Sequence, residues 1–196
     1  VEDDGIRFDL NSVSGKTIKE DADYSGVRIG FIAELDSAKI KMQLDLGFGD
    51  VVFPKPESNS LPTYLSMPEP VLLCYSLESC IAEKLEAIIK LGVFNSRMKD
   101  FYDIWLLSRQ FIFDGEKLSN AISKTFENRG TEIVSKPECF NDEFHIKKQV
   151  SWNAFQKKLA LNFVPNEFKL VLDSLQNFIM PVFESLMNKK YLLKIW

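Results

Sequence analysis

Apolar positions recur every second residue in the first quarter of the chain, and every third or fourth residue after Tyr75. Along Tyr24–Leu35, Val27, Ile29 and Phe31 alternate with Arg28 and Gly30. Along Lys39–Phe48, Ile40, Met42, Leu44, Leu46 and Phe48 alternate with Lys41, Gln43, Asp45 and Gly47. A period of two predicts strands with one apolar face. Ser37-Ala38 between the two runs suits a tight reversal, so an antiparallel hairpin is predicted. Ile6–Leu10 reads as a short strand ahead of it. Gly47 and Gly49 loosen the second strand, and Val51–Phe53 is expected to resume it. Five prolines between Pro54 and Pro70 predict a surface loop.

After Tyr75 the pattern becomes helical. Ser76 is placed to cap a helix with its apolar stripe at Ile81, Leu85, Ile88 and Ile89, and Gly92 is placed to stop it. Ser96 is the expected cap of the next helix, whose core stripe is Met98, Phe101, Trp105 and Leu106. Asp114 is the expected cap of a helix over Gly115–Asn128, ended by Gly130. Residues 131–139 read as a linker containing Pro137. Helical pattern returns over Asp142–Leu161 and Asn166–Asn188, with Pro181 expected to break or kink the last helix. Strands followed by helices predict an α+β fold. The change of pattern divides it into a strand-rich part, 1–72, and a helical part, 73–196.

Composition adds bounds. The 196 residues are 45% hydrophobic and 27% charged, within the globular range. A net charge of −4 disfavours bulk nucleic-acid binding while leaving room for a local basic groove. No apolar run nears the roughly 20 residues that span a bilayer, and the start, VEDDGIRFDL, is not a secretory signal. Val1 opens the chain in the style of a strand interior, which suggests a piece of something longer. Cys74, Cys80 and Cys139 form no paired framework, which points to a reducing, cytoplasmic compartment.

The candidate chemistry lies in two stretches. In KMQLDLGFGD, Asp45 stands mid-strand, where propensity disfavours a carboxylate. That position suits an exposed sheet edge, and it equally suits a magnesium ligand or general base. Asp50 reads as a turn residue. In IAEKLEAIIKLGVFNSRMKDFYDIW, Lys84 is either a solvated helical lysine or a point cation for phosphate. Asp100 and Asp103, three apart, share a helical face. Arg97 can pair with these acids structurally, leaving the other aspartate for a site. Glu83 reads as pairing with neighbours of Lys84, and Glu78 and Glu86 as surface acids. His145 reads as a lone surface residue, and Lys147, Lys148, Lys157 and Lys158 as a solvated face that is also able to meet RNA phosphate. No P-loop, GxGxxG or HExxH motif occurs.

The segments EDADYSGVRIGFIAEL, IKMQLDLGFGDVV, IAEKLEAIIKLG and NSRMKDFYDIWLL resemble the AbiEii-like nucleotidyltransferases, toxins of bacterial type IV toxin–antitoxin (abortive-infection) systems. The resemblance covers essentially the whole chain. It implies a polymerase-β-like fold, with a mixed or antiparallel sheet followed by a helical C-terminal part. It also implies transfer of a nucleotidyl group from an NTP, with Mg2+ or Mn2+, to an acceptor such as tRNA, and an antitoxin acting indirectly. Asp45 then matches the family's third carboxylate, a catalytic and metal-binding position. Lys84 matches its phosphate-contacting lysine, and Asp100 or Asp103 its last catalytic aspartate. The family's first motif, a Gly-Ser or Gly-Gly turn followed by Asp-x-Asp on a strand, has no match. Asp21 and Asp23 repeat it only in letters, and the family pattern would place it upstream of Val1. The chain as given is therefore expected to lack a two-metal centre and to be inactive or nearly so. The alternative is a non-catalytic module that binds nucleotide, RNA or a partner on the same scaffold.

Overall fold

The computed structural model describes residues 4–20, 24–160, 163–190, 192 and 195. It is α+β, with an antiparallel three-strand sheet followed by helices, which is consistent with a nucleotidyltransferase-like fold. The chain divides into two units, Val1–Asp50 and Val51–Trp196. The division thus falls ahead of the proline-rich stretch, whereas the change of sequence pattern put it at residue 72.

The first unit is a sheet in the order β1-β2-β3, with β1 at Ile6–Glu20, β2 at Tyr24–Leu35 and β3 at Ala38–Gly47. The strand expected to end at Leu10 is 15 residues long. Its last ten residues, NSVSGKTIKE, carry little alternation, and pairing with β2 holds them extended. A bulge between Asp9 and Ser14 interrupts that pairing. There Ser12 Oγ donates to Asp9 O at 2.6 Å and accepts from Ile32 N at 2.8 Å. The hairpin between β2 and β3 turns at Asp36-Ser37, one residue earlier than expected, with Asp36 at φ 51. An aspartate tolerates that left-handed conformation better than most residues. The register pairs Met42 with Phe31, Leu44 with Ile29 and Leu46 with Val27 on one face, and Arg28 with Asp45 and Lys16 on the other. The Asp-x-Asp letters at 21 and 23 lie outside the described residues.

The second unit opens without the expected strand at Val51–Phe53. Phe53 is instead tied to the first helix. Its carbonyl accepts from Ser79 Oγ at 2.8 Å and its N–H donates to the same oxygen at 2.9 Å. The segment expected to be a loop contains β4, Glu57–Ser60, which pairs antiparallel with β5, Val71–Cys74. Among the described residues five α-helices follow: α1 Leu77–Leu91, α2 Met98–Gln110, α3 Gly115–Arg129, α4 Asp142–Leu159 and α5 Phe168–Met187.

The caps explain most boundaries. Ser76 accepts from Ser79 N, and Asp114 from Lys117 N at 2.9 Å. Gly130 closes α3 in the left-handed conformation. The start of α2 is served by Asn95, whose Oδ1 accepts from Arg97 N at 2.7 Å, and not by Ser96. Helix α5 runs through Pro181 without ending. A proline inside a helix costs about 3 kcal/mol. Full burial of Ile179, Val182 and Phe183 around it offsets that cost.

The core belongs to the helices. Ile81, Leu85 and Ile88 of α1 join Phe101, Ile104 and Trp105 of α2, Leu118, Ile122 and Phe126 of α3, and the buried stripe of α5. Trp152 of α4 stacks on Phe168 at 5.0 Å, and Phe168 meets Phe101 edge-on at 5.3 Å. This packing fixes the α1 and α2 faces that carry the charged side chains. Among the described residues no helix is long and apolar enough to cross a membrane.

Candidate functional site

Helices α1 and α2 bring Lys84, Asp100 and Asp103 together. Ile81, Leu85 and Ile88 turn inward from α1, which leaves Lys84 at the border of the buried face. Phe101, Tyr102, Ile104 and Trp105 do the same for α2. The Lys84 ammonium donates to Asp100 Oδ1 at 3.2 Å and lies 2.7 Å from Asp103 Oδ2. Each acid has a second cation from its own segment, Arg97 at the cap of α2 and Lys99 in its first turn. Arg97 Nε is 2.9 Å from Asp100 Oδ2, an ion-pair contact without hydrogen-bond alignment, and Lys99 Nζ is 2.5 Å from Asp103 Oδ2. Asp100 is 5% exposed, Asp103 16% and Lys84 21%. Burial pushes the Lys84 ammonium toward neutrality, but its hydrogen bond to Asp103 and the charges of both aspartates outweigh it, so its pKa stands above the ordinary lysine value. Cys80, one turn earlier on α1, has a thiol pushed up by burial.

Asp45 belongs to the first unit and sits on the polar face of its sheet. Arg28 Nε and Nη2 donate to its two oxygens, both at 2.7 Å, a bidentate pair. Gln43, two residues along the same strand, donates to both oxygens at 3.2 and 3.1 Å. The hydrogen bond from Arg28 holds the Asp45 carboxyl below its usual range; desolvation, the next largest influence, opposes it, and the Arg28 charge, Gln43 and Lys16 add to the lowering.

A second ion network ties α1 to α3. Arg129 reaches Glu83, and its Nη1 lies 3.1 Å from Glu86 Oε2. Thr131 Oγ1 donates to Glu86 Oε1. Glu86, read from the sequence as a surface acid, is 1% exposed, and Glu83 pairs with Arg129. Their partner lies more than forty residues downstream, where helical spacing gives no hint of it. Arg28 was equally missed as the partner of Asp45, because the hairpin turns one residue earlier than the sequence pattern places it.

Phe101 and Trp105 are core residues, as the sequence indicates. His145 is partly exposed; Lys147, Lys157 and Lys158 are exposed, and Lys147 pairs with Glu143 at 2.7 Å. Cys139 is buried, and that burial pushes its thiol up to about 12.

A divalent cation wants several carboxylate oxygens free to converge on it. Among the described residues no group of three or more His, Cys, Asp or Glu side chains is arranged to hold one. The three candidate carboxylates are engaged with cations: Asp45 with Arg28, Asp100 with Arg97 and Lys84, Asp103 with Lys84 and Lys99. An ion placed between Asp100 and Asp103 would meet the Lys84 ammonium. As arranged, these residues do not fit Mg2+ or Mn2+. The Lys84 cluster suits an anion better, because it holds three cations against two carboxylates.

A family model described as nucleotidyl transferase AbiEii toxin, Type IV TA system, matches residues 1–177. No curated protein matches the chain, and no solved structure does.

Proposed function

The chain belongs to the AbiEii nucleotidyl transferase toxin family of type IV toxin–antitoxin systems, and from that premise we propose that its α1–α2 cluster binds the phosphates of a nucleoside triphosphate during nucleotidyl transfer to an RNA acceptor such as tRNA. The observation that carries this reading is the Lys84 ammonium, held charged between Asp100 and Asp103 within the matched segment. A fixed ammonium is a point charge suited to polyphosphate. Asp103 is the aspartate offered to the reaction. Asp100, nearly buried and gripped by Arg97 and Lys84, orients the cluster. Asp45, with its charge kept by Arg28, is the third carboxylate of the reading. The antitoxin of such a system is proposed to act indirectly, and the cell compartment to be the cytoplasm.

The test is label transfer. The product of the full gene is incubated with each α-labelled NTP, magnesium and total RNA, beside Asp45→Ala. Label on RNA that disappears in the variant supports transfer and names both the NTP and the acceptor class. Folded protein that transfers no label from any NTP favours a second reading, a non-catalytic module that binds nucleotide or RNA. What speaks for that second reading is that Asp45, Asp100 and Asp103 are each paired with cations, and that among the described residues no three His, Cys, Asp or Glu side chains are arranged to hold a metal.

A further inference from the structure

The cations around Asp100 and Asp103 are not equivalent. Lys99 stands on α2 with the two aspartates, and Arg97 immediately precedes the helix; each pairs with its aspartate at a spacing of four and three residues respectively. Helix α2 and its capping residue therefore carry a self-neutralising set of two cations and two carboxylates. Lys84 comes from α1 and is shared by both acids, 3.2 Å from Asp100 and 2.7 Å from Asp103. It is the surplus positive charge. Exposure separates the three cations in the same way, with Arg97 at 49%, Lys99 at 69% and Lys84 at 21%. Arg97 and Lys99 grip the acids from the solvent side, and Lys84 reaches them from the helix interface.

We propose that Arg97 and Lys99 are reserve counter-ions, positioning residues that keep Asp100 and Asp103 neutralised when the Lys84 ammonium turns from them to a triphosphate. The inference rests on the reading of Lys84 as a phosphate contact. Its physical ground is the penalty for an unpaired carboxylate in a poorly solvated place. Without Arg97, movement of Lys84 toward phosphate would strand Asp100, which is 5% exposed. Without Lys99 it would leave Asp103 with no cation from its own helix. Either loss ties Lys84 to α2 and weakens its hold on an anion that Arg97 and Lys99 themselves never touch.

The experiment uses the whole chain with labelled lysines, and follows the Lys84 side-chain resonance, identified by its loss in Lys84→Arg, during titration with inorganic triphosphate free of divalent ions. In the unaltered chain the Lys84 signal is expected to move saturably, while the Lys99 signal stays on Asp103. Lys99→Gln, a change at an exposed position, and Arg97→Gln are each expected to weaken the apparent affinity about tenfold. Lys99→Arg and Arg97→Lys are expected to restore it to within about threefold, with circular dichroism confirming folded protein throughout. If Lys84 moves in the unaltered chain and both glutamine variants bind equally well, the reserve role is overturned and the phosphate reading stands. A Lys99 signal that tracks triphosphate as strongly as Lys84 makes Lys99 a direct ligand, and also overturns it. If Lys84 does not respond at all, the phosphate reading fails and takes this inference with it.

Discussion

The ammonium of Lys84 and the carboxylate of Asp103 lie 2.7 Å apart across two helices that share a hydrophobic core. The pair is partly buried, so it contributes to stability as well as to any site. Replacing Lys84 by methionine leaves Asp100 and Asp103 to Arg97 and Lys99 alone. The expected loss is about 2 kcal/mol, since removing one partner of a buried pair is destabilising. Urea unfolding of Lys84→Met beside Lys84→Arg measures it, and the arginine variant is expected to lose less than half as much.

The same lysine sets an alkaline limit. Its folded pKa is raised above the ordinary value of 10.5. A group raised on folding gives a contribution that is complete below its unfolded pKa and is lost as pH rises through the folded one. The stability gap between the unaltered chain and Lys84→Met is therefore expected to hold steady from about pH 7 to about pH 10 and to narrow above that. Melting temperatures of both proteins across this range check it. A gap that narrows toward acid pH would contradict the assignment.

Much of this arrangement was legible in the sequence. The three-residue spacing of Asp100 and Asp103 put them on one face of α2, and the apolar stripes of α1 and α2 fixed which faces turn inward. What local pattern could not supply was pairing between distant segments. A reversal at Ser37-Ala38 would have set Asp45 opposite Gly30. The actual turn at Asp36-Ser37 slides the register by two residues and sets Asp45 opposite Arg28, on the same face. The aspartate then looks like half of an ion pair as much as a lone functional acid. Glu86 was misread for the same reason, because its partner Arg129 arrives only through the packing of α3 on α1. The strand at Glu57–Ser60 was hidden by the surrounding prolines, and its pairing with Val71–Cys74 needs the loop between them to close.

Arg28 should control the acidity of Asp45. Its bidentate hydrogen bond is the leading cause of the lowered Asp45 pKa. In Arg28→Gln the Asp45 carboxyl is expected to titrate higher, back toward the ordinary value of 3.8. Carboxyl carbon shifts followed through an acid titration measure it. An unchanged titration would show that Gln43 and Lys16 suffice.

The Arg129 network predicts a larger structural penalty. Arg129→Met leaves Glu86, 1% exposed, without its cation. The expected destabilisation is about 3 kcal/mol, as for other buried pairs broken on one side. Adding Glu86→Leu to Arg129→Met is expected to recover part of it, because the stranded charge is then gone. Denaturant midpoints of the two variants decide the matter.

The central claim is that the α1–α2 cluster receives the phosphates of a nucleotide through Lys84. The most direct measurement is calorimetric titration of each NTP into the whole chain, into Lys84→Gln, and into Lys169→Gln as a control on α5, where Lys169 pairs only with Asp173 in the contacts described. The account predicts that at least one NTP binds, that Lys84→Gln weakens it about tenfold or more, and that Lys169→Gln leaves it unchanged. Equal affinity in the unaltered chain and in folded Lys84→Gln would contradict the claim and leave Lys84 as a structural cross-link between two helices.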